Sequence, residues 1–472
     1  MTNNGAEDNH SGEENDLSRV ALAEPSPQPG PSVSSLSARP DGRRRRFGTF
    51  DSLIDVPAFR WYMGAMMGNW SALQMQQVAR GYIAYQVTGS FAALGLVELA
   101  NTWPRLLLAL YGGVLADRAS RRVIIQVGQA VNALNTGVIA VLLFTGQLQF
   151  YHLILASFVQ GILNSFVLPA RQAMIPEIVG PDRLMNAFAL NVFVLNSMRL
   201  VAPAVAGAII ALLMVQTGGD AFASVGVVFA LMAALNVVAV AILTRVPKTD
   251  ARTRAILRGE ELEITQSKED RVGLRDIKEV FGYLKRERII VWLMVIHSST
   301  AMLGVVYQRL LPGFVETVLG FGNDRSAAVM GMLLTVTAFG ALLGSLLIAS
   351  LPARNRGKIL AFSLALFGIT LISFAASSIL WISAAIVFAL GIGQSIRQSI
   401  ANILIQARVQ ERFRGRVSAI MLLDDGLESL GVFGIAIGAD ILGAQWALAG
   451  VGACMIAYAL VIMMAKSIRE LD

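Results

Sequence analysis

Three carboxylates stand within five positions of an otherwise apolar run: Asp424, Asp425 and Glu428. Asp424 and Glu428 are four apart and share one helical face. Removal from water penalises a charged carboxyl, and crowding penalises two charged at once. Such a group can take up and release a proton, so these three are the candidate proton carriers. A static pairing with Arg309 or Arg397 is the alternative. Arg80, Arg105, Arg199, Arg309 and Arg397 also interrupt apolar runs, as does Glu98. A charge in hydrocarbon is costly enough to need a partner, water or a ligand. Arg80 lies nine residues before Gly89 and Glu98 eight after Ser90, so on antiparallel neighbours the two reach similar depth and are expected to pair, as a staple or a gate. Asn69, Gln76 and Arg80 recur at helical spacing with Gln77 beside them, a polar stripe that must face protein or water. Arg105, Arg309 and Arg397 are assigned with this stripe and Glu98 to one internal cavity.

Other chemistry is missing from the residues. There is no G-x-x-x-x-G-K-[ST] for a nucleotide, and His10, His152 and His297 have no metal-ligand spacing, so no cofactor is expected. His297, beside Ser298, Ser299 and Thr300, reads as a hydrogen-bonded interior residue, with a place on a solute path as the alternative.

The elements that must position these groups are helices in lipid. The chain is 55% hydrophobic and 15% charged, where soluble domains carry about 25% charged residues. A spanning helix needs about 20 apolar residues. On that rule helices fall near 57–87, 91–116, 122–145, 150–178, 183–214 and 222–244, then 289–317, 325–351, 357–377, 380–408, 414–440 and 445–466. The expectation is an all-α polytopic membrane protein with twelve spans in two pseudo-symmetric six-helix bundles, 51–246 and 289–472. Residues 1–50, rich in Ser, Pro and Gly, read as a disordered tail ending in Arg43–Arg46. Residues 247–288 read as a linker whose Ile277, Val280, Phe281 and Leu284 mark an amphipathic helix on the membrane surface. The net charge of +7 sits in short loops rather than in a soluble basic patch, so no nucleic acid is expected. With both termini inside, the loops place Arg325 alone among the 39 Lys and Arg outside, and the expected location is the cytoplasmic (inner) membrane. Cys454, the one cysteine, lies in an apolar run and reads as inert packing.

The halves repeat at an offset of about 230 residues. Gly161-Ile162-Leu163-Asn164-Ser165 aligns with Gly391-Ile392-Gly393-Gln394-Ser395, and Arg80 corresponds within one residue to Arg309. The run Gly113-Val114-Leu115-Ala116-Asp117-Arg118-Ala119-Ser120-Arg121-Arg122 joins two spans. It resembles the signature loop G-x-L-A-D-R-x-G-R-R of the major facilitator superfamily, with Ser120 where that family has glycine. A glycine there supplies a positive φ, so the serine is expected to distort the turn. The blocks Tyr85–Ser90, Ala93–Val97, Pro169–Pro176 and Arg414–Val417 resemble the branch that includes siderophore and macrolide exporters. The resemblance covers roughly residues 55–465.

That resemblance implies a conformational latch of Gly113, Asp117, Arg118, Arg121 and Arg122, with Asp117 working against the eleventh span; Arg171 is the candidate ionic partner. Arg199, Pro203 and Gly207 partly match the Gly-Pro motif of proton-coupled antiporters, with Ala202 and Ala206 in place of glycines. The function expected is secondary active transport: proton-coupled export of a small amphiphilic organic molecule by a monomer in the bilayer. Uptake or facilitated movement of an organic anion or zwitterion is the alternative, and a non-transporting receptor or scaffold the alternative of another class. No enzymatic activity is expected.

Overall fold

A computed structural model describes residues 51–180, 183–247, 283, 287–350, 355–410, 413, 417, 421 and 424–465. The tail, the linker's amphipathic segment, Arg414–Arg416 and the side chains of Asp117 and Asp425 lie outside the described residues. Fourteen helices follow in order: α1 (Asp51–Asp55), α2 (Pro57–Thr88), α3 (Phe91–Arg118), α4 (Arg121–Phe144), α5 (Phe150–Val179), α6 (Leu184–Gln216) and α7 (Ala221–Leu243), then α8 (Arg288–Gly304), α9 (Val306–Thr317), α10 (Asn323–Ser350), α11 (Arg356–Ala376), α12 (Leu380–Arg408), α13 (Asp424–Leu442) and α14 (Ala444–Met464). With the five-residue α1 set aside and α8 and α9 counted as one broken span, the described residues make twelve spans. Among the described residues nine spans are long and apolar enough to cross a membrane by length and composition. The other three, α2, α3 and α13, carry the polar stripe, Glu98 with Arg105, and the acidic cluster, which lowers their hydropathy.

Turn chemistry sets the ends. Gly89 closes α2 at φ 63 and donates its N–H to Tyr85 O, while Ser90 caps α3. Asp220 caps α7 by accepting from Ala223 N at 3.0 Å. Ser120 corrects an expectation: it sits at φ −64 in extended backbone at the start of α4. The turn needs no positive φ, so the serine takes it up without backbone strain.

The two halves pack by one scheme. Helix α3 lies on α5 as α10 lies on α12, and α4 lies on α7 as α11 lies on α14. The aligned glycines explain the first pair. A Cβ on Gly161 would stand 2.1 Å from Asn101 O, and one on Gly391 would stand 2.2 Å from Thr337 O. Only a bare Cα lets each helix rest on its partner's backbone, the close approach that binds helices where lipid supplies no hydrophobic drive. Between halves, among the described residues, the main contacts are α6 on α10 and α3 on α13.

Uncharged polar side chains of the spans lie inside, among an apolar core, while large apolar side chains also cover the outer surface. Asn69, Gln76, Asn101, Gln129, Asn132 and Asn236 are buried, while Val215, Trp381, Ile441 and Met464 are at least three-quarters exposed. That inversion is what a lipid solvent selects. An apolar groove of about 730 Å³ between α4 and α7, lined by Leu134, Val138, Val141 and Val237, belongs to this outer surface. Cys454 is exposed on it rather than packed.

Candidate functional site

A cavity of about 620 Å³ lies between the halves. Gln76 and Arg80 reach it from α2, Glu98, Asn101 and Arg105 from α3, and Arg199 and Pro203 from α6. The other half contributes Gln308 and Arg309 from α9, Gln394 and Gln398 from α12, and Glu428 from α13. The break in the seventh span positions part of this wall: the chain bends at Val305, φ −103 and ψ −10, so that α9 starts afresh and presents Gln308 and Arg309.

The expected Arg80–Glu98 pair is not formed. Glu98 Oε1 lies 3.1 Å from Arg309 Nη2, across the two halves. Arg80 Nη1 instead donates to Gln160 Oε1 at 2.8 Å and to Ser157 Oγ at 3.1 Å. The reason is topological. Helix α3 packs chiefly on α5 and α13, so consecutive α2 and α3 are not the close neighbours that the depth argument assumed. Gln160 Nε2 donates onward to Gln76 Oε1 at 2.5 Å, and Asn101 Nδ2 donates to Gln160 Oε1 at 3.3 Å. Arg80, Gln76 and Asn101 are thus tied through α5 into one network.

Two residues assigned to the cavity lie elsewhere. Asn69 is buried away from it, donating to Asn236 Oδ1 at 3.1 Å and accepting from Arg171 Nη2. Arg397, 2% exposed, is behind the wall: its Nη1 donates to Thr300 Oγ1 at 2.8 Å, and its guanidinium sits 5.9 Å from the Phe367 ring. A Cβ on Gly304 would stand 2.7 Å from Arg397 Nη2, so the glycine just before the α8–α9 break makes room for it.

The acidic cluster divides. Glu428 lines the cavity, whereas Asp424 faces α8. Asp424 accepts from Ser298 Oγ, and its Oδ2 lies 3.3 Å from His297 Nε2. His297, read from sequence as an interior residue, is therefore also a neighbour of the acid. Nothing in the spacing of 297 and 424 signals this, because only folding brings α8 against α13.

At the face carrying Arg118, Arg121 and Arg122, hereafter the basic face, the latch residues are placed differently. Arg121 is 7% exposed, with Nη1 donating to Ala173 O at 2.7 Å and to Glu177 Oε2 at 3.2 Å. Glu177 was missed by sequence reasoning, although it lies one residue beyond the Pro169–Pro176 block. Arg122 donates to Val246 O and, at 2.9 Å, to Thr244 O, meeting carbonyls at the end of α7. Arg118 is exposed. Arg171, expected as the partner of Asp117, gives its guanidinium to Asn69 and to the Trp70 ring at 5.3 Å. The packing glycine is Gly112, whose added Cβ would fall 1.8 Å from Ser165 O, while Gly113 has open space. In the helix-five motif, Pro203 lies inside α6, where it removes one backbone donor, and Thr335 Oγ1 of α10 donates to Leu200 O nearby at 2.9 Å. Gly207 meets α10 backbone to backbone, since its added Cβ would stand 2.5 Å from Ala327 O.

At the opposite face the halves are sealed by groups that sequence reasoning did not single out. Asp440, near the end of α13, accepts from Ser90 Oγ at 2.6 Å, Phe91 N at 2.6 Å and Ala92 N at 2.9 Å. A carboxylate there meets the free N–H groups and positive dipole end of α3. Gln86 Nε2 donates to Glu316 Oε2 at 2.9 Å, and the Tyr85 and Phe91 rings lie 5.2 Å apart. An added Cβ on Gly313 would run into both rings.

Comparison with known proteins agrees with this architecture. The family model of the Major Facilitator Superfamily matches residues 62–423. A staphyloferrin A transporter of Staphylococcus aureus is 22% identical over 388 residues, covering 80% of this chain and 87% of the relative. An uncharacterised transporter of the same superfamily from Bacillus subtilis, YfiS, is 24% identical over 410 residues, covering 82% and 88%. Among solved structures, a mutant of the nucleoside transporter NupG superposes with a TM-score of 0.65 at 12% identity, covering 86% of this chain and 99% of that one.

Proposed function

The chain belongs to the Major Facilitator Superfamily, and on that premise we propose that it is a secondary active transporter that exports a small organic solute by alternating access, driven by proton exchange. One observation carries the reading: a polar cavity walled by both halves and large enough for a small solute. A receptor or scaffold has no need of such a lining inside a membrane. The likeness to a staphyloferrin A transporter supports an organic cargo.

The basic face is the cytoplasmic one, by the bias of Arg and Lys, and both termini lie there in the inner membrane. The Asp440 and Glu316 contacts close the outer face, so the cavity is offered to the cytoplasm. Export then requires these contacts to open while the Asp117 loop and its neighbours close the inner face. Proton uptake at Asp424, beside His297, or at Glu428, in the cavity wall, changes the charge between α8, α12 and α13 and biases that exchange. The amide-rich lining favours a polar anionic or zwitterionic cargo over an amphiphilic one.

Flux of candidate solutes in proteoliposomes, with and without a proton gradient, tests the mechanism. Gradient-driven flux is expected in the wild type, and it should lose its gradient dependence in at least one of Asp424→Asn, Asp425→Asn and Glu428→Gln. Unchanged coupling in all three removes the carrier assignment, and flux indifferent to the gradient in the wild type means a facilitator.

A further inference from the structure

Among the described lining residues the cavity carries four guanidiniums, Arg80, Arg105, Arg199 and Arg309, and two carboxylates, Glu98 and Glu428. Arg309 is matched by Glu98, and Arg80 is held by the neutral oxygens of Ser157 and Gln160. Arg199 differs from both. It is exposed to the cavity from α6, and among the described residues it has no hydrogen bond or ion pair. A guanidinium at membrane depth is expensive unless water or a counter-charge meets it. Its fork of donors suits a carboxylate held by two parallel bonds, a geometry that lysine does not offer.

The rest of the wall narrows the cargo further. Among the described lining residues carboxamides are the most numerous polar side chains, with Ser and Thr hydroxyls beside them, and none is aromatic. Aromatic faces are what an apolar or cationic ligand would need. Carboxamides and hydroxyls instead bind a solute with many oxygens.

We propose that Arg199 is the docking point for a carboxylate of the cargo, and that the cargo is a hydrophilic, oxygen-rich organic acid carrying at least one net negative charge. This deepens the transport reading above and rests on it. The antiporter-like motif of the fifth span thereby has two parts: Pro203 and Gly207 set the helix against α10, and Arg199, one turn earlier, faces the solute.

Citrate serves as the probe, with sorbitol as a neutral polyol and tetraphenylphosphonium as a lipophilic cation. Binding is measured calorimetrically on the full chain in nanodiscs. Citrate should bind and the other two should not. Arg199→Gln should weaken citrate by about tenfold or more, the loss of one charge-assisted contact, while Arg199→Lys should lose less. A second readout needs no variant: citrate should slow phenylglyoxal modification of Arg199, followed by peptide mass. The proposal is overturned if citrate fails to bind, if tetraphenylphosphonium or sorbitol binds as well as citrate, if Arg199→Gln leaves citrate affinity unchanged, or if citrate gives Arg199 no protection. Citrate binding without gradient-driven flux would sink the proton-driven reading and leave the anchor standing. Gradient-driven flux with citrate binding indifferent to Arg199 would do the reverse.

Discussion

At the scale of single residues, the informative result is which charge meets which. Glu98 is answered by Arg309 from the other half at 3.1 Å. The pair is partly buried, with side-chain exposures of 25% and 14%, so water screens it incompletely. Removing one partner strands the other charge in the cavity, whereas removing both does not. Glu98→Gln and Arg309→Gln should therefore each lower thermal stability in detergent, and the double variant should recover part of the loss. The double-mutant cycle should give a coupling of about 1 kcal/mol, and strictly additive losses would mean that the contact contributes nothing.

At the scale of helices, glycines decide how closely neighbours lie. Gly112 and Gly113 are adjacent in sequence and opposite in role. Gly112 presses on Ser165 O of α5, while Gly113 faces open space. Gly112→Ala should destabilise by about 1–3 kcal/mol, because a backbone oxygen cannot move aside as a side chain can. Gly113→Ala should be neutral or stabilise by up to about 1 kcal/mol, since alanine loses less chain entropy in a helix. Thermal unfolding of the two variants separates the roles, and equal effects would contradict the packing described here.

At the scale of the whole molecule, the carboxylate of Asp440 is the main polar tie between the halves at the face opposite Arg121, joining α13 to the start of α3. Asp440→Ala should shift the population toward a form open at that face, by about tenfold for each 1.4 kcal/mol of seal removed. Spin labels on Thr88→Cys and Leu442→Cys, with the exposed Cys454 replaced by Ser, would report it as a longer distance between the two sites. An unchanged distance distribution would show that Asp440 does not hold the face shut. Much of this molecule was readable before folding. Nine spans were legible from length and apolarity alone among the described residues, because lipid selects a segment by those two properties, while α2, α3 and α13 carry polar groups that weaken that signal; the glycines Gly161 and Gly391 marked the repeat because close approach requires them in both halves. Turn glycines and the short arginine-bearing loops were likewise local signals. Partners were not local. Glu98 with Arg309, Asp424 with His297, Arg121 with Glu177 and Asp440 with Ser90 join helices brought together only by packing, and α2 and α3, consecutive in the chain, are not each other's main neighbours. A residue's burial in lipid can be read from its own segment, but its partner is chosen by which helices lie side by side.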